Sequence, residues 1–142
     1  MALAFIDSRC TTVCPLTAEI LREAQNQLGP ADSKRVALVA INANPTAARV
    51  ADVYQFSAEH GMLHQRMFLT GSPAKLDAIY RQYQVYVAVQ NGGGVEHDPA
   101  TFIIGPDGRE RLYYETLDTK AGPTMESETQ ALLAGMRQWL PR

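Results

Sequence analysis

The chain has 142 residues, and 46% of them are apolar, which is enough for one domain whose core folds without disulfides or metal. Its 13 basic and 15 acidic residues give a formal net charge of -2, and no run of Lys or Arg marks nucleic acid or an anionic membrane as a partner. No apolar stretch has the length of a transmembrane helix, and residues 1–6 are too short for a secretory signal. We therefore predict one globular domain over residues 1–142 and no nucleic-acid partner.

The first part of the chain alternates between predicted strands and helices. Ala2–Ile6 is a continuous apolar run, typical of a strand that is buried on both faces. A helix is predicted from Cys14, with apolar residues at helical spacing until Gly29 and Pro30 end it. The next predicted elements are a buried strand over 36–41, a helix from 46 to about 60, a short strand over 67–69 and a helix capped by Ser72 and Pro73.

The second part predicts a hairpin followed by a helix. Residues 85–89 are extended, and a Gly-rich loop over 91–94 separates them from a strand over 101–104. A Gly-Pro-Asp-Gly turn leads into a strand over 109–114, and the last helix runs from about 126 to 140. The order βαβα, βα, ββα predicts an α/β fold of the thioredoxin-like plan, with a central mixed sheet flanked by helices.

The chain has two cysteines, Cys10 and Cys14, at the junction of the first strand and the first helix. Ligands of α/β sheets bind at the carboxyl ends of the strands, so this loop is a candidate site. The pair can form a redox-active disulfide, hold a soft metal ion as two thiolates, or form a purely structural bridge. The helix N-terminus and Arg9 favour lowered thiol pKa values, and we expect Cys10 to be the more exposed and reactive thiol.

His97 is the candidate third group, because it lies in the loop that precedes the hairpin and this loop faces the cysteine loop in such a fold. Two thiolates and one imidazole form a trigonal set suited to Cu(I), and the same set can hold Cu(II). Zinc usually takes a fourth protein ligand. From spacing alone, a solvated histidine in a Gly-rich loop remains the alternative.

Residues 5–15 together with His97 and the Gly-Pro-Asp-Gly turn at 105–108 resemble the Sco/SenC proteins, and the likeness covers nearly the whole chain. This resemblance implies a thioredoxin-like fold and a copper site in which Cys10 and Cys14 are the thiolate ligands and His97 is the imidazole ligand. It implies copper delivery to the binuclear copper centre of cytochrome c oxidase, or reduction of the cysteines that receive the metal. The expected partner is the copper-receiving oxidase subunit or another copper chaperone. The expected location is the periplasm or the outer face of the plasma membrane.

The chain departs from the family pattern in three places. Asn44 stands where the family often has an acidic residue. Pro99 resembles the cis-proline of thioredoxins, and a cis peptide bond there would shape a groove for a thiol partner. The sequence opens inside the first strand, so we expect a membrane anchor and a leading segment to be missing from a longer native protein.

Three functions are therefore compared. A copper metallochaperone needs both cysteines and His97, whereas a thiol-disulfide oxidoreductase needs only the two cysteines, with Pro99 as an optional aid, and survives the loss of His97. The oxidoreductase hypothesis is weaker because three residues separate Cys10 from Cys14, whereas two are usual in that class of protein. The third is a non-catalytic domain with a structural disulfide.

Other polar and sulfur-containing residues are given weaker interpretations. We interpret His60 and His64 as surface residues, and Met62 and Met67 as core packing. Asp7 is either a proton acceptor or an ordinary polar loop residue. The residues flanking His97 offer carboxylates that could orient its imidazole.

Overall fold

The structure is a computed structural model that describes residues 1–64, 66–117 and 124–141. Within these ranges, seven strands (β1–β7) and five helices (α1–α5) follow one another. In chain order they are β1 (Ala2–Ile6), α1 (Val13–Gln27), α2 (Pro30–Ser33), β2 (Leu38–Asn42), α3 (Val50–Glu59), β3 (Arg66–Leu69), α4 (Pro73–Tyr83), β4 (Val87–Val89), β5 (Val95–His97), β6 (Ala100–Ile104), β7 (Glu110–Glu115) and α5 (Met125–Gln138).

The main sheet has the strand order β3-β2-β1-β6-β7. β1, β2 and β3 are parallel, whereas β6 runs antiparallel to β1 and β7 antiparallel to β6. Ile6 at the end of β1 stands opposite Asn42 at the end of β2, so the loops that follow both strands leave the same edge of the sheet. β4 and β5 form a separate two-stranded sheet in which Val87 pairs with His97.

Successive side chains of β1 point to opposite faces of the sheet and pack into two different cores. Ala4 and Ile6 point towards the core that β1 shares with α1, α3 and α5, while Leu3 and Phe5 point towards the core shared with α4. All five residues of β1 are buried. The strand that precedes the cysteine loop is therefore held on both faces, which makes it a rigid base for the site.

The thioredoxin-like plan with a mixed sheet and flanking helices is confirmed, and most boundaries shift by a few residues. The largest shift is at α3, which was predicted from residue 46 and begins at Val50. The side-chain oxygen of Asn44 accepts hydrogen bonds from the backbone N–H groups of Thr46 and Ala47, which holds this segment in a turn instead of a helix. Within the described ranges, no helix is both long and apolar enough to cross a bilayer.

Two interpretations of the fold need correction, and the open question of a cis bond before Pro99 is answered. His97 ends a short strand, β5, instead of lying in a loop. The described residues contain no cis peptide bond, so the bond that precedes Pro99 is trans. Met62 is fully buried as expected, but Met67 is 58% exposed and lies on β3, which is an edge strand of the sheet.

Candidate metal centre

Hydrogen bonds to the backbone and carboxylate of Asp7 shape the cysteine loop. The N–H of Cys10 donates to the carbonyl oxygen of Asp7 at 3.2 Å, and the N–H of Arg9 donates to Asp7 Oδ1 at 2.8 Å. The backbone N–H of Asp7 donates to Cys14 Sγ at 3.3 Å. The buried Asp7 carboxylate also accepts from Asn44 through the same oxygen, Oδ1, so this oxygen has a structural role in the loop.

The two thiols lie in different environments. Cys14, in the first turn of α1, is 1% exposed, whereas Cys10 before the helix is half-buried. Cys10 Sγ lies 3.4 Å from Oγ1 of Thr12. Both sulfurs are free thiols in the structure. The expectation that Cys10 is the more accessible thiol is confirmed.

The pKa values of the two thiols move in opposite directions. The pKa of Cys10 is lowered to about 5, mainly because Cys14 donates a hydrogen bond to its thiolate, with a further contribution from Thr12. The pKa of Cys14 is raised far above its usual range by the same interaction with Cys10 and by burial. The expected lowering therefore holds for Cys10 and is wrong for Cys14. Arg9 does not lower the pKa of Cys10, since its guanidinium pairs with Asp52 at 3.5 Å.

His97 lies beside Cys14, although 83 positions separate them in the sequence. Nε2 of His97 is 3.3 Å from Sγ of Cys14. Nδ1 of the same ring is 2.8 Å from the carbonyl oxygen of Asp98, and a carbonyl oxygen only accepts, so Nδ1 carries the proton and donates. In the neutral ring the lone pair of Nε2 therefore faces Sγ of Cys14.

A backbone carbonyl, and not a carboxylate, orients the imidazole. The carboxylate of Asp98 accepts from the N–H of Tyr86 at 2.8 Å, and Glu96 accepts from Gln90 at 2.9 Å. Both flanking acids are thus engaged within the β4–β5 sheet. Sequence reasoning missed the carbonyl, and no sequence signal marks it, because every residue has one.

Asp52 is a second residue of the site region that sequence reasoning missed. Its buried carboxylate contacts Arg9 of the cysteine loop and Arg49 at the start of α3. It also accepts the N–H of Arg49 at 3.1 Å, which is a capping interaction. Arg is not a residue type that marks a helix N-cap, so the sequence gives no clear signal for this interaction, and the link to Arg9 is visible only in three dimensions.

The structure gathers Cys10, Cys14 and His97 in one region, and it does not present them as a closed set of ligands. In the part of the chain that the structure describes, no group of three or more His, Cys, Asp or Glu side chains is arranged to hold a metal ion. Among the described residues, the other two histidines show no contact with Cys14 or His97. His64 is exposed as expected, whereas His60 is half-buried and packs its ring on Phe56, with centroids 4.3 Å apart.

Comparison with known proteins gives one family and several similar folds. The family model described as SCO1/SenC matches residues 1–133. No curated protein sequence matches the chain. The structure of copper-bound ScoI from Arabidopsis thaliana is similar with a TM-score of 0.79 and 22% identity, covering 97% of this chain and 83% of that one.

Two further solved structures show the same fold. Apo Sco1 from Thermus thermophilus has a TM-score of 0.75 and 23% identity, over 98% of this chain and 78% of that one. Copper-bound yeast Sco1 has a TM-score of 0.73 and 16% identity, over 99% of this chain and 77% of that one. Fold similarity thus extends across almost the full length of the chain.

Proposed function

The chain belongs to the SCO1/SenC family, and from that premise we propose that it binds copper as cargo and delivers it to the binuclear copper centre of cytochrome c oxidase. The proposed ligands are Cys10, Cys14 and His97. The observation that carries the proposal is the 3.3 Å contact between Cys14 Sγ and His97 Nε2, with the opposite ring nitrogen already committed to a carbonyl. A histidine ligand held in this way presents its free nitrogen to a metal without a change of tautomer.

The donor set fits the chemistry of copper. Two thiolates and one imidazole are soft ligands that suit Cu(I), and the same residues can hold Cu(II). Cys10 has the lowered pKa and would offer a thiolate at neutral pH, whereas Cys14 must release its proton when the metal binds. Because the three side chains are not arranged as a closed site, the cysteine loop would adjust as the ion enters.

Structures of Arabidopsis and yeast relatives with copper bound support copper as the cargo. The receiving partner would be the oxidase subunit that holds the binuclear centre, and another copper chaperone is the alternative partner. Transfer would exchange ligands, so that a partner thiolate bonds to Cu(I) while a bond from this chain breaks and the copper keeps its oxidation state. The periplasm or the outer face of the plasma membrane is the proposed location.

An anaerobic Cu(I) competition titration against a chromogenic chelator tests the site. We expect one-to-one uptake by the reduced protein, and a loss of affinity of at least about 100-fold in His97→Ala, since even the loss of an outer-shell partner costs 10–100-fold. His64→Ala is the matched control, because His64 is exposed and precedes β3, at the edge of the sheet opposite to the cysteine loop. Equal affinity in both variants would remove His97 from the site.

Delivery is tested by mixing the copper-loaded protein with the metal-free copper-binding domain of the oxidase subunit. The expected result is transfer of two Cu(I) ions to the domain, followed by the visible absorption of the binuclear centre after its one-electron oxidation by added ferricyanide. Uptake without delivery would restrict the function to copper binding or to exchange with another chaperone.

A thiol-disulfide oxidoreductase is the second candidate, and the asymmetry of the cysteine pair favours it. Cys10 is half-buried with a lowered pKa, while Cys14 is buried and protonated, which is the arrangement of an attacking and a resolving thiol. This activity needs no histidine. Disulfide reduction that survives in His97→Ala, together with absent copper uptake in the unmodified protein, would make it the leading function.

A further inference from the structure

A groove of about 630 Å³ opens beside Cys10, between the cysteine loop and α3. On the α3 side its lining includes Asp52, Phe56, Glu59 and His60, which recur at helical spacing and therefore share one face of the helix. Cys14 and His97 are not among its lining residues. A molecule in this groove thus meets one reactive group of the pair, the Cys10 thiol.

The two ends of the groove carry opposite charge. At the end next to the start of α3, Arg9 and Arg49 share the single carboxylate of Asp52, which lies 3.5 Å from Arg9 and 3.0 Å from Arg49. Two cations and one anion leave an excess of one positive charge there. The side chains of Arg9 and Arg49 are 58% and 75% exposed, so their remaining N–H groups face solvent.

At the other end, Glu59 is exposed and its carboxylate accepts a hydrogen bond from the neutral Gln55. This end therefore keeps its negative charge. Asp52 is buried and fixed by several contacts, so it holds both arginines in place before any partner arrives. Such fixed charges favour one orientation of a bound segment over the reverse one.

We propose that this groove docks an extended, cysteine-bearing segment of a partner protein, with acidic residues of the segment beside Arg9 and Arg49 and its thiol at Cys10. The inference rests on the proposed function, because it names the side from which a partner thiol reaches the site. Thiol transfer and copper transfer would both use the groove, since Cys14 is 1% exposed and Cys10 is the accessible sulfur.

Thiol exchange on the reduced, metal-free protein tests the groove without relying on copper. The probes are three synthetic peptides with one cysteine, linked as a mixed disulfide to 2-nitro-5-thiobenzoate and flanked by Glu, Lys or Gln. The Cys10 thiolate attacks the peptide sulfur, a new disulfide joins Cys10 to the peptide, and the coloured thiobenzoate anion leaves with the electron pair. Each rate is divided by the rate with the Gln peptide, which removes differences in the intrinsic reactivity of Cys10.

At low salt we expect the Glu peptide to react about 10-fold faster than the Lys peptide, although the whole chain has a net charge of -2. High salt should erase most of this preference. Arg49→Gln should lower it several-fold. Arg109→Gln is the matched control and should retain it, because Arg109 is equally exposed but precedes β7 at the edge of the sheet opposite to the cysteine loop.

Equal normalised rates for the two charged peptides, or a preference that Arg49→Gln leaves intact, would overturn the inference. Copper uptake is measured separately on the same proteins. A protein that binds no copper but prefers the Glu peptide would contradict copper as the cargo and still support the docking groove. A protein that binds copper but shows no preference between the peptides would support the proposed cargo and contradict the docking groove.

Discussion

Asn44 donates a hydrogen bond from Nδ2 to Oδ1 of Asp7 at 2.8 Å, and this bond joins the segments that follow the first two strands of the sheet. Both residues are buried, at 3% and 6% exposure. The other amide atom, Oδ1, accepts the N–H groups of Thr46 and Ala47. An amide can donate and accept at once, which an ionised carboxylate cannot, so these contacts favour an amide at position 44 over the acidic residue that the family resemblance led us to expect.

Asn44→Asp should destabilise the protein by about 1–3 kcal/mol at pH 7, because it replaces a buried donor with a second carboxylate facing Asp7. For a chain of this size the loss corresponds to roughly 3–10 °C in Tm. The loss should shrink in acid, where one carboxyl takes up a proton and can donate to the other. Thermal unfolding of both proteins at several pH values measures the difference.

Asn91→Asp provides the control for this prediction, since Asn91 is exposed in the loop between β4 and β5. The same chemical change should alter stability there by less than about 0.5 kcal/mol. Equal effects at positions 44 and 91 would mean that the bond between Asn44 and Asp7 contributes nothing measurable.

Cys10 should react as a thiolate far below the pH at which ordinary cysteines do. Its pKa is lowered to about 5, so the alkylation rate of the reduced, metal-free protein with iodoacetamide should rise with a midpoint near pH 5. An unperturbed cysteine would give a midpoint of about 8.5. Cys14→Ala removes the main hydrogen-bond donor and should move the midpoint back towards that value.

The lowered pKa of Cys10 also makes the free energy of unfolding depend on pH. The folded protein favours the Cys10 thiolate, so this stabilisation is fully present above the unfolded pKa of about 8.5 and is lost as the pH falls through about 5. An alkylation midpoint above pH 8 in the unmodified protein would contradict both statements.

Asp52 should stabilise the protein through charge, because its pKa is lowered to about 2, chiefly by Arg49. A lowered carboxyl pKa gives a contribution that is present above the unfolded value of about 3.9 and is lost as the pH falls through about 2. The Tm of Asp52→Asn should thus lie below that of the unmodified protein at pH 5, and the two should converge near pH 2. Asp77→Asn is the control, since the pair of Asp77 with Arg81 is exposed and should matter less.

The sequence predicts the parts of this site that are local, and it leaves out those that depend on tertiary contacts. The position of Cys10 and Cys14 after a buried strand follows from one apolar run and one helical pattern, and the structure agrees. β5 is missed because three residues with partly polar character are too few to show a strand period.

Burial and long-range pairing account for the remaining differences. The raised pKa of Cys14 comes from the neighbouring Cys10 sulfur and from a core that the local sequence does not reveal. Arg9 was expected to act on the thiols, but Asp52, more than 40 positions away, binds its guanidinium instead. The approach of His97 to the cysteines depended on the fold prediction and the family resemblance, since nothing near residue 97 encodes the distance.

Gly135→Ala tests how closely α5 packs on β7. A Cβ at this position would lie 2.9 Å from Cδ1 of Leu112 and would also collide with the hydroxyl of Tyr114, which is held by a hydrogen bond to the carbonyl oxygen of Ala131. Alanine gains about 1 kcal/mol in helix propensity, but overpacking costs about 1–3 kcal/mol, so we expect a net loss of about 1 kcal/mol, and at most about 2 kcal/mol. Chemical denaturation measures it.

Gly94→Ala is the control, since no heavy atom lies within 4 Å of a Cβ at Gly94. Copper uptake by Gly135→Ala should be unchanged, because Leu112 stands opposite Ile103, which pairs with Ala2 at the start of β1, far from the cysteine loop. A stability equal to or above that of the unmodified protein would show that Tyr114 and Leu112 move aside at no cost. A loss of copper uptake would instead mean that the packing of α5 on β7 is transmitted along the sheet to the cysteine pair.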